Sequence, residues 1–340
     1  MERPIRRFTN TPVGSVPLVL GRLGWRDRLG AVKVRFGFRR MRYRIGPGLY
    51  CLGNLSPESP VFISANYKLS FDNLRQGLDG LDAWILVLDT KGINVWCAAG
   101  KGTFGTDEVV RRVEETNLAA LVSHRTLFLP QLGAPGVAAH EVTRRTRFKV
   151  IYGPVRASDI KEFVKAGMKA TENMRRVRFD FRDRLVLTLM EMTNPFKYAA
   201  LISLALWVLD MLGWRVFSWR AIYPYLGAIL AGTVVVPALL PYIPGRAFAW
   251  KGWVVGMIWV VGVNIHRGLI FSPSPRWGQA ALHSLLLPAI SALLAMGFTG
   301  SSTYTSLSGV LQEMKYAVPA IFLSAGLGLA FLAVGLIRGF

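Results

Sequence analysis

The chain has 340 residues, 52% of them hydrophobic, and a mean hydropathy of +0.34, too apolar for a single water-soluble domain. With 41 Lys and Arg against 20 Asp and Glu, its formal net charge of +21 points to an anionic partner or surface. Two cysteines exclude a disulfide framework and any four-cysteine iron–sulfur cluster built from this chain alone, and a free thiol suits a reducing compartment.

Residues 1–45 carry 12 basic and two acidic side chains and read as a basic arm, with an amphipathic helix near Trp25 to Phe38. Such an arm suits nucleic acid or anionic lipid; it holds no recognisable nucleic-acid module, and the apolar segments downstream favour lipid. Arg6, Arg7 and Pro12 interrupt any signal-peptide core between Met1 and Leu20, so the N-terminal part is expected to stay in the cytoplasm. Residues 46–60 read as turn-rich, with Cys51 as a core thiol. Strands are expected at 61–64, 83–88, 118–122, 127–129 and 148–152. Helices are expected at 70–78, in a short piece around Cys97, and at 106–116, 136–144 and 157–166. This alternation predicts a doubly wound α/β sheet over residues 46–170.

Residues 171–197 read as a charged amphipathic connector ended by Pro195. After Lys197 only eight Lys/Arg and two acids remain. Five apolar segments, about 198–214, 221–243, 249–265, 280–298 and 317–337, approach the length needed to cross the ~30 Å of bilayer hydrocarbon. Trp214, Trp219, Tyr223, Tyr242, Trp250, Trp277 and Tyr316 sit near their ends, as interfacial aromatics do. Residues 198–340 are therefore expected to form a transmembrane domain. Asp210 is the one acid inside an apolar span, which raises a functional question. His266 and His283 read as interface markers.

The chemistry is expected after the strand 83–88. Beyond Asp89-Thr90-Lys91-Gly92, Asn94 can cap a short helix by accepting from a free amide of its first turn. Cys97 falls in that turn, where unpaired amides and the helix dipole attract negative charge. A thiol at the carboxyl edge of an open α/β sheet lies where such folds bind ligands, although on position alone Cys97 reads equally as a small core residue. The loops Gln131 to Gly136 and Gly153 to Arg156 also follow strands, so they should line the same edge with exposed amides. Gly100 to Gly105 spells G-x-G-x-x-G, but a dinucleotide fingerprint follows its strand directly, and here the strand ends about ten residues earlier. A Walker A loop fails because Val95 and Gly102 stand where Gly and Ser/Thr are needed. His124 and His140 are too isolated for a metal site.

The stretch Asn94-Val95-Trp96-Cys97-Ala98-Ala99-Gly100-Lys101 resembles, without departure, the cap-helix motif of the membrane-bound corrinoid proteins of microbial mercury methylation, relatives of the corrinoid iron–sulfur protein large subunit. The resemblance extends to Ser64-Ala65-Asn66-Tyr67-Lys68, to Leu129 through Gly136, to Tyr152 through Arg156, and to the hydrophobic C-terminal part. It implies a Rossmann-like corrinoid-binding domain followed by an all-α five-helix transmembrane domain. The cofactor implied is a cobalamin-type corrinoid, base-off, with its cobalt ligated by Cys97; the Asp-x-His-x-x-Gly loop that would supply a histidine ligand is absent. Contacts are expected from Asn94, Val95, Trp96, Cys97, Ala98, Ala99, Gly100, Lys101, Gly102 and Thr103, and from Gln131, Gly133, Ala134, Gly153, Pro154 and Val155. The implied activity is a corrinoid-dependent methyltransferase that carries a methyl group on cobalt and transfers it to Hg(II), forming methylmercury. The implied partners are a methyl-donor protein of the folate/corrinoid pathway and, as electron donor, a ferredoxin-like protein with four-iron clusters, because this chain lacks cluster ligands. The implied location is the cell inner (cytoplasmic) membrane, multi-pass, with the corrinoid domain in the cytoplasm and no nucleic-acid partner. Two other readings stay open: a methyl carrier of acetyl-CoA-pathway type with a non-mercury acceptor, and a membrane transport or anchoring protein with a ligand-sensing domain.

Overall fold

The structure, a computed structural model, describes residues 5–214 and 217–338; residues 1–4 of the expected arm, together with 215–216 and 339–340, lie outside the described residues. A mixed α/β sheet unit, Met1–Val177, is followed by a helical unit, Arg178–Phe340.

The sheet has seven strands: β1 (Ile5–Thr11), β2 (Gly14–Val19), β3 (Gly48–Leu52), β4 (Val61–Ala65), β5 (Ala83–Leu88), β6 (Thr126–Leu129) and β7 (Lys149–Tyr152), in the spatial order β1-β2-β3-β5-β4-β6-β7. β5, β4, β6 and β7 are parallel, β3 is antiparallel to β5, and β1 is antiparallel to β2. The described helices of this unit include α1 (Trp25–Arg35), α2 (Lys68–Gly77), α3 (Val95–Gly100), α4 (Thr106–Glu115), α5 (Ala139–Thr146) and α6 (Ile160–Lys165). Strand alternation sorts the core onto two faces. Val61, Ile63, Leu86, Leu88, Leu127 and Val150 pack with Ala98, Val109, Val113 and Val142 of α3, α4 and α5. Phe62, Ile85, Val87 and Phe128 pack instead with Phe71, Ile160 and Phe163 of α2 and α6. Helices therefore cover both faces, which is why the central strands read as unbroken apolar runs. Passing from β5 to β6 the chain crosses back over β4, so the order reverses between β4 and β6, the place where open α/β sheets bind ligands.

Three sequence expectations need correction in this unit. Residues 5–45 are not an arm: β1 and β2 form a hairpin that extends the sheet, and α1 packs through buried Val34 against Tyr43 and Tyr67. Residues 48–52, inside the stretch read as turns, form β3, all buried except its first glycine. The apolar run 118–122 is no strand. The chain turns at Asn117, with φ of 44°, into a short 3-10 turn, Leu118–Ala120, whose Leu118 plugs the core.

A charge network, buried at Lys68, Asp72 and Arg75 and half-buried at Asp27, ties α1 to α2. Lys68 Nζ meets Asp27 at 2.7 Å and Asp72 at 2.6 Å; Arg75 meets Asp27 at 2.7 Å and Asp72 at 2.8 Å. Arg75 also donates to the Leu20 and Arg22 carbonyls, holding the chain between β2 and α1.

Among the described residues of the helical unit, five helices are long and apolar enough to cross a membrane: Phe181–Trp214, Trp219–Ala238, Phe248–His266, Trp277–Ser301 and Ser308–Gly335. The first is one helix through the expected connector and first span, with Pro195 inside it. An interior proline removes one amide donor, a loss that apolar helices tolerate when neighbouring groups re-satisfy the freed carbonyl. The helix begins at Asp180, whose carboxylate accepts from the Asp183 amide at 3.1 Å. Leu201, Ile202, Leu204, Trp207 and Leu212 lie exposed along it, an apolar surface suited to lipid. Phe248–His266 and Trp277–Ser301 approach closely because Gly252 and Gly256 carry no side chain; a Cβ on Gly252 would lie 2.6 Å from the Ser291 carbonyl. Asp210 accepts from the Phe217 amide at 3.1 Å. His283 is buried, 3.0 Å from Asn264 Oδ1.

The network makes two predictions. Arg75→Met leaves buried Asp72 and half-buried Asp27 with half their cations gone and should cost about 3–5 kcal/mol in denaturant unfolding. Burial by itself would raise the Asp27 carboxyl, but hydrogen bonds and charge from Lys68 and Arg75 outweigh it and hold it below the ordinary carboxylate range. Its folded value thus lies below its unfolded one. The stabilisation should be complete above about pH 5 and be lost as pH falls below about 4, and Asp27→Asn should flatten that loss in thermal unfolding against pH.

Candidate functional site

β5 ends at Leu88 and the chain turns through residues 89–94 into α3. Asn66, just past β4, holds that turn. Its Oδ1 accepts from the Thr90 amide (3.2 Å), the Thr90 hydroxyl (2.9 Å) and the Gly92 amide (2.9 Å), and its Nδ2 donates to Asp89 Oδ1 at 3.0 Å. Asn66 and Thr90 are buried, so each of these bonds replaces water that cannot enter. Glu108 of α4 accepts from the Asp89 amide at 2.7 Å and is itself held by Arg111 and Arg112.

α3 then starts as the sequence predicts. The Asn94 side chain accepts from the Cys97 amide at 2.9 Å. Ala98 and Ala99 are buried beneath the helix, whereas Trp96, Cys97, Gly100, Lys101 and Gly102 are exposed. The reading of Cys97 as a core residue therefore gives way to an accessible thiol. The helix closes when the Thr103 and Phe104 amides both donate to the Ala98 carbonyl, at 3.0 and 3.1 Å, with Gly102 at φ 77° making the turn.

The β6 and β7 loops meet this helix. Buried Phe104 fills the space over Gly133, where a Cβ would lie 2.5 Å from its ring, and a Cβ on Gly136 would lie 3.0 Å from Ala99 Cα. Tyr152, at the end of β7, donates from its hydroxyl to the Val137 carbonyl at 2.6 Å; burial pushes this phenol up, so it stays a donor at neutral pH. The Gln131 amide donates to the Pro154 carbonyl at 3.4 Å, joining the two loops. Gln131 Oε1 is buried without a hydrogen-bond partner among the described residues. Thus α3, Gln131 to Ala134 and Gly153 to Val155 follow the carboxyl ends of three of the four parallel strands, β5, β6 and β7, with β4 lying between β5 and β6.

Cys51 lies elsewhere. It pairs in register with Trp84 at the start of β5, toward the opposite sheet edge, and its thiol is 3.4 Å from the Pro17 carbonyl. Burial pushes that thiol up. His124 bridges Ser59 and Thr126, a structural role, and His140 is exposed on α5. Among the described residues, no three His, Cys, Asp or Glu side chains group to hold a metal ion. Asn66, Glu108 and Tyr152 were missed as organisers of the edge; the sequence signal for Asn66 and Tyr152 was a polar residue directly after, or at the end of, an apolar strand, and for Glu108 only its place in the first turn of α4.

The sheet unit has relatives of known description. The profile of the CO dehydrogenase/acetyl-CoA synthase delta subunit family matches residues 39–164, a segment holding β3 to β7 and every loop described above. The acetyl-CoA decarbonylase/synthase complex subunit gamma of Archaeoglobus fulgidus is 34% identical over 124 residues, 36% of this chain and 26% of that protein. The Methanopyrus kandleri subunit gamma is 31% identical over 122 residues, 35% of this chain and 26% of that protein. The corrinoid/iron–sulfur protein large subunit of Moorella thermoacetica is 24% identical over 148 residues, 43% of this chain and 31% of that protein. The matched region thus spans about a quarter of the length of the first two relatives.

Asn66→Asp tests the clamp. It replaces the Nδ2 donor with a carboxylate oxygen facing Asp89, and should cost about 1–3 kcal/mol. Amide hydrogen exchange should speed up more over residues 89–100 than in β6 and β7.

Proposed function

We propose that the sheet unit holds a base-off corrinoid with the Cys97 sulfur as cobalt ligand, and that the chain is a membrane-bound methyltransferase acting on Hg(II). The carrying observation is an exposed thiol on a capped helix at the carboxyl edge of β5, within a stretch that resembles the cap helix of mercury-methylating corrinoid proteins. Similarity to a corrinoid/iron–sulfur protein large subunit supports the cofactor class. The residues present fit such a group. Gly100 and Gly102 leave the backbone near Cys97 uncovered, with nothing within 4 Å of where a Cβ would stand. Gln131 Oε1 is a buried acceptor without a donor, and the amide N–H groups on a corrin periphery match it.

A bound corrinoid supplies the cobalt that takes up, carries and releases the methyl group. The chain supplies the ligand, its orientation and shielding. Asn94 and the Asn66 clamp fix the helix that presents Cys97. A thiolate ligand pushes electron density onto its metal, which suits methyl transfer to an electrophile such as Hg(II). With one of its two cysteines buried in β3 and the other assigned to cobalt, the chain has no four-cysteine set. Reducing equivalents then come from a separate ferredoxin-like protein with four-iron clusters, and the methyl group from a methyl-donor protein of the folate/corrinoid pathway. The five apolar helices would seat the chain in the inner membrane, with the sheet unit in the cytoplasm.

A second reading keeps the cofactor and changes the acceptor. The Archaeoglobus fulgidus and Methanopyrus kandleri relatives are subunits of acetyl-CoA decarbonylase/synthase complexes, which favours a methyl carrier of that type with a non-mercury acceptor. A deletion strain complemented with this chain and its ferredoxin partner separates the two: methylmercury formation supports the first, and its absence with intact corrinoid loading supports the second.

Cys97→Ala should abolish the thiolate–cobalt absorption of the corrinoid-loaded protein and lower methyl transfer by at least about a hundredfold, the scale of a lost activating metal-site interaction. An unchanged ultraviolet–visible spectrum would sink the ligand assignment. The loaded, methylated protein alone should turn over once. Multiple turnovers should require the ferredoxin and a low-potential reductant, and their encounter rate should fall as salt rises.

A further inference from the structure

α1 has an outer face that the sheet unit does not use. Trp25, Leu29, Val32 and Phe36 fall at i, i+4, i+7 and i+11, which at 3.6 residues per turn lie within an arc of about 60°. All four are exposed, at 67%, 43%, 47% and 42%, and Phe38 and Met41 extend the patch at 68% and 66%. Arg26 and Lys33 flank this stripe on one side and Arg28 and Arg35 on the other, each about 70–90° from its centre. The opposite face is tied down: Val34 is buried with Tyr43 and Tyr67, and a Cβ on Gly30 would lie 2.5 Å from the Tyr43 hydroxyl.

Charge is sorted by the same geometry. Asp27 is the one acid between residues 5 and 45, and it points inward to Lys68 and Arg75 at 2.7 Å each. The outer face is left with apolar and basic side chains only, and Arg39, Arg40, Arg42 and Arg44 follow directly in sequence. A stripe of large apolar groups between two rows of cations is the pattern of a helix lying in a membrane interface, where long basic side chains reach anionic headgroups. Nucleic acid would use the cations but leaves Trp25, Leu29, Val32 and Phe36 without a function. The described residues of the same chain include five helices long and apolar enough to cross a bilayer, which favours lipid over nucleic acid as the anionic surface.

We infer that α1 is a second, peripheral membrane-binding element, which seats Trp25, Leu29, Val32 and Phe36 among anionic phospholipid headgroups. It holds the sheet unit at the membrane surface independently of which acceptor the corrinoid edge serves. Each basic side chain near an anionic surface strengthens such binding about fivefold, and the apolar stripe supplies insertion.

The test is hydroxyl-radical footprinting of the full chain, read residue by residue by mass spectrometry. Non-ionic detergent, phosphatidylcholine vesicles and phosphatidylglycerol vesicles are compared. Trp25, Phe36 and Met41 should oxidise at least about fivefold more slowly in phosphatidylglycerol than in the other two. Leu29→Asp should remove that protection, and Arg26→Gln with Lys33→Gln should weaken it; both variants should keep the parent's circular dichroism and thermal transition, since all three residues are exposed. Equal oxidation in all three media overturns the inference. So does protection already present in detergent, which would mean that protein covers the patch, or equal protection by phosphatidylcholine. Protection by added RNA but not by phosphatidylglycerol overturns it in favour of nucleic acid.

Discussion

One side-chain amide governs the geometry at the edge of the sheet. Asn66 takes up the Thr90 and Gly92 amides with its oxygen and Asp89 with its nitrogen, so the turn after β5 has no freedom to shift. A carboxamide suits the position because it offers an acceptor and a donor at once in one plane. α3 has only six residues and could not persist by its own hydrogen bonding. It depends on the clamp below, on the Asn94 cap at its start and on Ala98 and Ala99 packed into the core. The exposed Cys97 is thus presented from a rigid support, the condition that a precise ligand site requires.

The walls of that edge are held by equally local means. Phe104 and the side-chain-free Gly133 and Gly136 let the β6 loop close onto α3, and the Tyr152 hydroxyl pins the same loop from β7. Among the described residues of this edge, Gln131 Oε1 is a buried side-chain acceptor without a hydrogen-bond partner. A buried acceptor without a donor costs free energy unless something else supplies one. This is the feature that most directly asks for a bound group.

The two units solve opposite solvent problems. The sheet unit hides its apolar strands beneath helices on both faces and sorts its charges, burying Lys68, Asp72 and Arg75 with half-buried Asp27 as a mutually neutralising set. The helical unit leaves Leu, Ile, Trp and Phe on its outside and packs internally through small residues such as Gly252 and Gly256. α1 belongs to the first unit by its inner face and resembles the second by its outer one.

Local pattern was enough wherever the deciding interaction is between near neighbours in the chain. The α/β alternation, the strand 83–88, the Asn94 cap on Cys97 and the number of membrane-length helices all rest on periodicity, capping or length, and all were legible. Tertiary structure alone decided the rest. Residues 48–52 form a strand because β5 offers an unpaired edge, and residues 5–19 a hairpin because β3 offers the next. The run 118–122 fails to become a strand although its composition suits one, since Leu118 is needed as a plug. The inward turn of Asp27, the buried state of Cys51 and the triple use of Asn66 each depend on partners 20 or more residues away. No spacing rule reaches that far, because the energy of such contacts comes from excluding water between segments that only the fold brings together.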